Sequence, residues 1–277
     1  MVNIKNYLRL NKLPHIWCPG CGNGTVVRAL ITAIDKLGFK KDEIVVFTGI
    51  GCSARTNAIL DFNTIQTTHG RTLAFATGFK LMRPEMKVIV ITGDGDGAAI
   101  GGNHLIHAAR RNVDITTILI NNSIYGMTGG QYSPLSPQGA YATTAPYGNI
   151  EPPFDICELV KAAGATFVGR GTVYHIHLTI DLITKALSHK GFSFVEVISQ
   201  CPVGYGRRNN MRSPYEMLLW QKEHAIMVKQ ADKYSKEDLK DKFLIGELWV
   251  NHERTEFMDS YNALVKRLSE GMKGGEV

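Results

Sequence analysis

The stretch KVIVITGDGDG, residues 87–97, decides the fold of this chain. Its first six residues form a run rich in β-branched apolar side chains, which is typical of a strand buried on both faces. Alternating glycines and aspartates end the strand, and a helical pattern opens directly after them. The amides at the start of that helix face the glycine loop, and this arrangement suits a bound phosphate.

Strands and helices alternate along the chain on either side of this stretch. Further strands are predicted at residues 43–48, 114–120, 166–168 and 192–199. Helices are predicted at residues 23–36, 71–82, 98–111, 154–163 and 176–189. This order predicts an α/β fold, in which a parallel sheet is covered by helices on both faces. Ligands of such sheets bind beyond the carboxyl ends of the strands, so the loops after the strands are the candidate sites.

Two segments depart from the alternation. Residues 121–153 are too rich in glycine and proline for regular structure, and they are predicted to form a long loop. From residue 213 the chain becomes more charged and its pattern becomes helical. We therefore expect a main domain of residues 1–212 and a C-terminal helical extension of residues 213–277, which serves either as a subunit contact or as a solvated tail.

The composition excludes several classes of protein. Apolar residues make up 44% and charged residues 20% of the 277 residues, as in ordinary globular proteins. No window reaches the ~18 apolar residues of a membrane span, and the first residues contain no apolar signal segment, so we expect a cytoplasmic protein without membrane contact. The net charge of +6 is scattered rather than gathered in a stripe. We therefore expect no nucleic-acid binding, but a basic surface that steers an acidic protein or substrate.

The first aspartate of the glycine loop separates two interpretations of the loop. Gly93, Gly95 and Ala98 fit the loose fingerprint of a dinucleotide site, which is a weak motif on its own. However, the carboxylate of Asp94 would repel a bare pyrophosphate, and the next strand does not end on the acidic residue that would bind a ribose. A carboxylate here is favourable when a divalent cation lies between it and the phosphates. The sequence therefore favours a diphosphate held through a cation.

Oxygen ligands for such a cation follow two of the predicted strands. Mg²⁺ binds one or two protein oxygens together with phosphate oxygens. Asp94 follows one strand, and the side chain of Asn122 and the carbonyl of Ile124 follow the next. These three residues resemble the motif of the thiamine-diphosphate enzymes, in which they hold the Mg²⁺ that binds the diphosphate. Asp96 is predicted either to cap the helix or to contact the cofactor directly.

Four of the five cysteines are predicted to lie in loops. Cys18 and Cys21 form a Cys-x-x-Cys pair, and Cys52 and Cys201 each follow a predicted strand. In a chain without an export signal, such cysteines favour metal ligation or redox chemistry over disulfides. Four convergent thiolates suit an iron–sulfur cluster or a structural zinc ion, and the pair alone could be a reactive dithiol. Cys157 lies in a helical pattern and is predicted to be a core thiol.

The combination of motifs resembles the β subunits of the 2-oxoacid:ferredoxin oxidoreductases. The similar segments are CPGCGNG (18–24), GIGCS (49–53), THGR (68–71), GDGD (93–96) and YGMTGGQ (125–131), and the similarity covers residues 17 to about 212. The resemblance implies that one 4Fe–4S cluster is held by Cys18, Cys21, Cys52 and Cys201. It also implies that thiamine diphosphate and its Mg²⁺ are contacted by Ile50, Gly51, Cys52, Ser53, His69, Gly93, Asp94, Gly95, Asp96, Asn122, Ile124, Tyr125, Gly126, Met127 and Thr128.

The resemblance further implies a reaction and its partners. Members of the family oxidatively decarboxylate a 2-oxoacid with coenzyme A and pass electrons through the cluster to ferredoxin. With a low-potential donor the reaction could run backward and fix CO₂. We identify neither a thiamine-activating glutamate nor a coenzyme A site in the sequence, and the family supplies both from an α subunit. The resemblance therefore implies an obligate hetero-oligomer of two αβ pairs.

The identity of the 2-oxoacid is the least constrained part of this hypothesis. YGMTGGQ is similar to members that act on 2-oxoglutarate, whereas some broad-range members carry a lysine in place of Gly129. We expect 2-oxoglutarate, with pyruvate or branched 2-oxoacids as alternatives, and Arg71 is a candidate for binding a second carboxylate. Two other classes stay open: a cluster-free thiamine-dependent decarboxylase subunit, and a non-enzymatic subunit with a structural zinc ion.

Overall fold

A computed structural model of the chain describes residues 2–211 and 213–274, with side chains up to residue 270. Residue 212, where the main domain is predicted to end, lies outside the described residues. So do residue 1 and residues 275–277, at the outer ends of the two predicted segments. Within the described ranges, no helix is both long and apolar enough to cross a membrane.

One sheet organises the described residues. Its strands are β1 (Ile44–Thr48), β2 (Asn63–Gln66), β3 (Lys87–Gly93), β4 (Thr116–Asn121), β5 (Phe167–Thr172), β6 (Ser193–Ile198), β7 (Ala225–Met227) and β8 (Phe243–Val250). They lie in the order β2-β1-β3-β4-β6-β5-β8-β7, and only β5 and β8 pair antiparallel. The predicted parallel sheet is confirmed, and the carboxyl ends of β1, β3, β4 and β6 meet at one end of it.

Helices cover both faces of this sheet, as predicted. They are α1 (Asn23–Leu37), α2 (Thr56–Ile59), α3 (Thr72–Met82), α4 (Gly102–Arg111), α5 (Ile156–Ala163), α6 (Ile176–Ser188), α7 (Pro214–His224) and α8 (Phe257–Gly274). Helices α1 and α6 pack on one face with Val46 and Ile118, whereas α3, α4 and α5 pack on the other with Phe47 and Leu119. Neighbouring residues of one strand thus enter different cores, which is why the strands are apolar throughout.

The loop after β3 differs from the prediction in one respect. The helix predicted from residue 98 is divided, because a π-helical turn over Asp94–Ala99 precedes α4. A second π-helical turn, Pro202–Gly206, follows Cys201. Such turns are rare and frequently lie at functional sites. Both follow strands whose carboxyl ends meet at the same end of the sheet.

Two short elements between β1 and α3 were not predicted. Helix α2 and strand β2 have only four residues each, and three of the four residues in β2 are exposed. An exposed edge strand of this length carries no hydrophobic pattern that a sequence could reveal. By contrast, the long loop after β4 is confirmed, because the described residues between Asn121 and α5 form only isolated bridges.

The C-terminal segment is only partly the helical extension that the sequence predicts. It contains α7 and α8, but also β7 and β8, and β8 pairs with β5 of the main sheet. Gly246 and Glu247 interrupt the apolar run of β8, and charged residues surround it, so its strand pattern is weak. The segment therefore extends the sheet, and the division after residue 212 stays a prediction.

Candidate active site

A cavity of about 320 Å³ lies at the carboxyl ends of β1, β3 and β4. All of the residues that the sequence analysis assigns to the thiamine and Mg²⁺ sites line it, and the structure adds Ala99, Ile100 and Ile120. A cavity of this size is at the lower end of those that hold cofactors and drug-sized ligands. The predicted residues thus come together in one place, although their individual contacts with a cofactor stay predictions.

Asp94 is the buried acid of this cavity, with 3% of its surface exposed. Its Oδ1 accepts a hydrogen bond from the N–H of Asn122 at 3.1 Å, and its Oδ2 accepts one from the Ser133 hydroxyl at 2.9 Å. Burial raises the pKa of Asp94 to about 6, and these two hydrogen bonds lower it. A buried carboxylate is therefore costly here unless a positive charge compensates it.

The atoms around Asp94 fit a divalent cation. Within the described part of the chain, Oδ1 of Asn122 is buried and has no hydrogen-bond partner. The carbonyl of Ile124 accepts one hydrogen bond, from the N–H of Gly126 at 3.0 Å, and keeps a second lone pair. An orphaned amide oxygen beside a buried carboxylate is costly, and a hard cation that takes oxygen ligands would satisfy both groups.

Asp96 has a different role from its neighbour. Its side chain is buried against Gly49, and it does not cap the helix. Five groups donate hydrogen bonds to its two oxygens at 2.8–3.2 Å: the N–H of Ile50, the N–H of Gly70, the ring Nδ1 of His69 and the hydroxyls of Thr72 and Thr92. Asp96 therefore ties together the loops that follow β1, β2 and β3, and the predicted cap is wrong.

His69 is oriented by this carboxylate. Its Nδ1 lies 3.0 Å from Oδ1 of Asp96, and 46% of its side chain is exposed. A carboxylate oxygen accepts hydrogen bonds, so Nδ1 is the donor in this contact. The imidazole lines the cavity beside Ile50 and Ile100, both of which are partly exposed. His69 thus lies at the outer rim, and it presents a fixed polar atom there.

Two of the four loop cysteines, Cys52 and Cys201, lie against the backbone of Gly126. A Cβ added to Gly126 would lie 3.2 Å from the Sγ of Cys201 and 3.8 Å from the Sγ of Cys52. Because Gly126 also lines the cavity, the cavity and the thiols share a wall. In residues 2–211 and 213–274, no group of three or more His, Cys, Asp or Glu side chains is arranged for a single metal ion.

The thiols lie close enough to one another for their charges to interact electrostatically. Burial is the main cause that raises the pKa of Cys21 to about 11; the N–H of Asn23 lowers it, and charges on the other three cysteines raise it. Burial and the neighbouring cysteines likewise raise the pKa of Cys52, and burial raises that of Cys201. Four thiolates in this space would repel one another, so a bound cationic group is needed to keep them ionised.

Two side chains that the sequence analysis did not assign hold these cysteine loops together. Trp17 is buried and donates from Nε1 to the carbonyl of Cys52 at 2.7 Å. Gln200 donates from Nε2 to the carbonyl of Gly20 at 2.9 Å. Gln200 directly precedes Cys201. Its polar side chain just after an apolar strand is the signal that could have identified it from the sequence.

The start of the C-terminal segment packs on the same loops. A Cβ on Gly20 would collide with Pro214 at the start of α7, and Gln221 of that helix donates to the side chain of Gln200 at 3.3 Å. Gln221 is only 2% exposed, so this hydrogen bond is buried. Helix α7 is therefore part of the structure around the cysteines.

A buried ion pair supports the loop after β4. Oε2 of Glu196 lies 2.5 Å from Nε of Arg170, and its Oε1 accepts a hydrogen bond from Nδ2 of Asn121 at 2.7 Å. Glu196 thereby fixes the residue next to Asn122. Cys157 is fully buried and donates to Glu196 at 3.3 Å, so its predicted place in the core is confirmed.

Comparisons with known proteins fit this site. Residues 49–197 match the family described as thiamine pyrophosphate enzyme, C-terminal TPP binding domain. The chain is 50% identical over 263 residues to the 2-oxoglutarate synthase subunit KorB of Methanothermobacter marburgensis, covering 95% of this chain and 92% of the relative. The chain belongs to the β subunits of the 2-oxoacid:ferredoxin oxidoreductases. A β subunit of a 2-oxoacid:ferredoxin oxidoreductase from Saccharolobus solfataricus is 42% identical over 188 residues, which are 67% of this chain and 62% of that relative.

A solved structure extends the similarity to three dimensions. The β subunit described here superposes with a TM-score of 0.85 and 31% identity on a chain of a 2-oxoglutarate:ferredoxin oxidoreductase from Magnetococcus marinus. The match covers 97% of this β subunit and 91% of that chain, and the enzyme was solved with 2-oxoglutarate, coenzyme A and succinyl-CoA bound. The similarity thus includes the C-terminal segment as well as the thiamine diphosphate-binding domain. The chain is a subunit of an oxidoreductase.

Proposed function

We propose that this β subunit, together with an α subunit, catalyses the oxidative decarboxylation of 2-oxoglutarate to succinyl-CoA and passes the electrons through one 4Fe–4S cluster to ferredoxin. The observation that carries the proposal is the position of Cys52. It lies between Gly51 and Ser53, and all three residues line the cavity. One loop therefore serves the cofactor site and the cysteine site, so an electron leaving the cavity has a short path.

In this proposal, Asp94, Asn122 and the carbonyl of Ile124 hold Mg²⁺, which binds the diphosphate of thiamine diphosphate. Once bound, this cofactor supplies the nucleophilic carbon and the electron sink for decarboxylation of a 2-oxoacid. Asp96 keeps the surrounding loops in place through its five donors. The buried carboxylate of Asp94 and the orphaned oxygen of Asn122 support this assignment, because the cation satisfies both.

The four loop cysteines hold the cluster as thiolates, and the cluster supplies a one-electron acceptor next to the cavity. Backbone amides near two of these sulfurs favour the thiolate form over the thiol. The N–H of Asn23 lowers the pKa of Cys21, and the N–H of Gly204 donates to the Sγ of Cys201 at 3.3 Å. Amide hydrogen bonds stabilise thiolate sulfur and suit a cluster.

The α subunit completes the site. Glu196 and Glu256 are the buried glutamates among the described residues, and neither lines the cavity. The glutamate that activates thiamine and the coenzyme A site are therefore assigned to the α subunit, in an assembly of two αβ pairs. The apolar side chains Ile50, Ile100 and Met127 line the cavity yet are 40–51% exposed, so they form a surface for that subunit to cover.

The choice of 2-oxoglutarate is supported by the relatives. Relatives that are about half identical to this chain are named 2-oxoglutarate synthase, and the similar solved enzyme has 2-oxoglutarate bound. In this chain, the segment Tyr125–Thr128 of the YGMTGGQ motif lines the cavity. Given a low-potential electron donor, the same site can work in reverse and fix CO₂.

An anaerobic assay of the αβ enzyme tests the proposal. Viologen reduction is measured with coenzyme A and either 2-oxoglutarate or pyruvate, and we expect 2-oxoglutarate to give the higher kcat/KM. Chemical analysis should find four iron and four sulfide per β subunit. Cys52→Ser should lose iron and activity, whereas Cys157→Ser, a matched change at a core thiol, should keep the iron. Iron-free protein or inactivity towards every 2-oxoacid would contradict the proposal, and a preference for pyruvate would contradict the choice of substrate.

A further inference from the structure

A second pocket adjoins the cysteine site through Gly126 and Gly204. It has a volume of about 380 Å³ and is lined by Gly126, Gly129, Val203, Gly204, Arg207 and Arg208. Gly126 also lines the cofactor cavity, and its backbone lies against the sulfurs of Cys52 and Cys201. Two arginines thus line a pocket that shares Gly126 with the cofactor cavity and with the proposed cluster ligands.

Arg208 makes specific bonds in this pocket. Its Nη1 donates to the carbonyl of Gly204 at 2.8 Å, and its Nη2 donates to the carbonyl of Gly129 at 3.4 Å. The backbone of Gly130 makes room for the guanidinium, because a Cβ there would lie 2.8 Å from Nη1. Gly130 has a φ of 92°, which strains any residue other than glycine. Half-buried Arg208 therefore bridges the loop after β4 and the loop after β6.

The residue whose carbonyl Arg208 binds also contacts Cys201. The N–H of Gly204 donates to the Sγ of Cys201 at 3.3 Å. The next N–H, of Tyr205, donates to the carbonyl of Cys201 at 3.0 Å. By binding the Gly204 carbonyl at 2.8 Å, Arg208 fixes the backbone that directs the Gly204 N–H at the sulfur.

We propose that Arg208 is a positioning residue that raises the reduction potential of the cluster by fixing Gly204, whose N–H donates to the Sγ of Cys201. The inference rests on the proposed function, since it requires a cluster on the four cysteines. One-electron reduction adds a negative charge to the cluster and its sulfurs. Stronger N–H···S hydrogen bonds and a nearby cation stabilise that charge, so both effects favour the reduced form.

Arg207 provides the matched control. It carries the same charge and lines the same pocket, but it is exposed, and the bonds to Gly204 and Gly129 are made by Arg208. A charge effect alone would act through both arginines. An effect transmitted through the backbone of Gly204 acts through Arg208 only.

The test is a potentiometric titration of the purified αβ enzyme, in which the reduced cluster is followed by EPR. Wild type, Arg208→Met and Arg207→Met are compared after their iron contents have been measured. We expect Arg208→Met to shift the potential to a more negative value, and Arg207→Met to produce a clearly smaller shift. Arg208→Lys, which keeps the charge, should lie between wild type and Arg208→Met.

Three results would overturn the inference. An unchanged potential in Arg208→Met excludes tuning, and equal shifts in the two methionine variants reduce the effect to surface charge. If Arg208→Met loses its iron, Arg208→Gln and Arg207→Gln replace the methionine pair. If both Arg208→Met and Arg208→Gln lose iron, Arg208 is needed for the structure of the cluster site and does not tune its potential. Wild-type protein without a cluster would contradict the proposed function itself, so the two failures are distinguishable.

Discussion

Two threonines of the central strands should respond in opposite ways to the same substitution. Thr92 and Thr117 are both buried, and valine replaces the hydroxyl of each by a methyl group. The Thr92 hydroxyl donates to Oδ2 of Asp96 at 2.8 Å. Within the described residues, the Thr117 hydroxyl has no hydrogen-bond partner. The two variants therefore isolate the contribution of one hydrogen bond to the carboxylate that ties the site loops together.

The magnitudes follow from the two environments. A hydrogen bond to a charged group contributes about 1.5–3 kcal/mol, so Thr92→Val should lower the free energy of unfolding by that amount. Burying an unpartnered hydroxyl costs about 1–3 kcal/mol, so Thr117→Val should leave the free energy of unfolding unchanged or raise it by about 1 kcal/mol. Urea unfolding of the αβ enzyme, followed by tryptophan fluorescence, gives both values when the denaturant slopes agree. A Thr92→Val loss below about 0.5 kcal/mol, or equal losses in both variants, would refute this account of Asp96.

Three further predictions concern the cysteine loops and the cation site. Trp17→Phe removes the donor to the Cys52 carbonyl and should speed the loss of iron in air. Trp249→Phe, at a partly exposed tryptophan of β8, should lose iron at the wild-type rate. The rate of iron loss is followed for each variant by visible absorbance. Asp94→Asn should weaken Mg²⁺-dependent binding of thiamine diphosphate by at least about 10–100-fold in calorimetry, while Asp181→Asn, at an exposed carboxylate, should bind normally. In the cation-free chain the Asp94 pKa is about 6, and only the ionised form binds the cation well. Mg²⁺ affinity should therefore fall about tenfold per pH unit below that value, and affinity independent of pH between 5 and 6 would contradict the assignment.

The sequence was sufficient for the parallel sheet and for the position of the site. Strands such as β3 are apolar throughout because α1 and α6 cover one face and α3, α4 and α5 the other, so their pattern is strong. The loops that follow them carry the chemistry, and parallel strands bring those loops to one end. For this reason, Asp94, Asn122 and the cysteines could be assigned before any distance was known.

Other features depend on contacts that no local pattern encodes. The interruption at Gly246 and Glu247 concealed β8, whose position becomes clear only from its pairing with β5. The five donors to Asp96 come from two loops, helix α3 and strand β3, so its role could not be distinguished from a helix cap. Arg208 likewise donates to the carbonyl of Gly129, which lies far away in sequence, so no local pattern indicates that it bridges two loops.

In the proposed function, electrons released in the thiamine cavity enter the adjacent cluster through the loop that contains Cys52. Rapid-freeze EPR of the anaerobic αβ enzyme, mixed with 2-oxoglutarate and coenzyme A but no external electron acceptor, tests this path. We expect a reduced 4Fe–4S signal that forms within the turnover time and is missing in Cys52→Ser. Consumption of 2-oxoglutarate without a cluster signal would contradict this path and identify a cluster-independent decarboxylase.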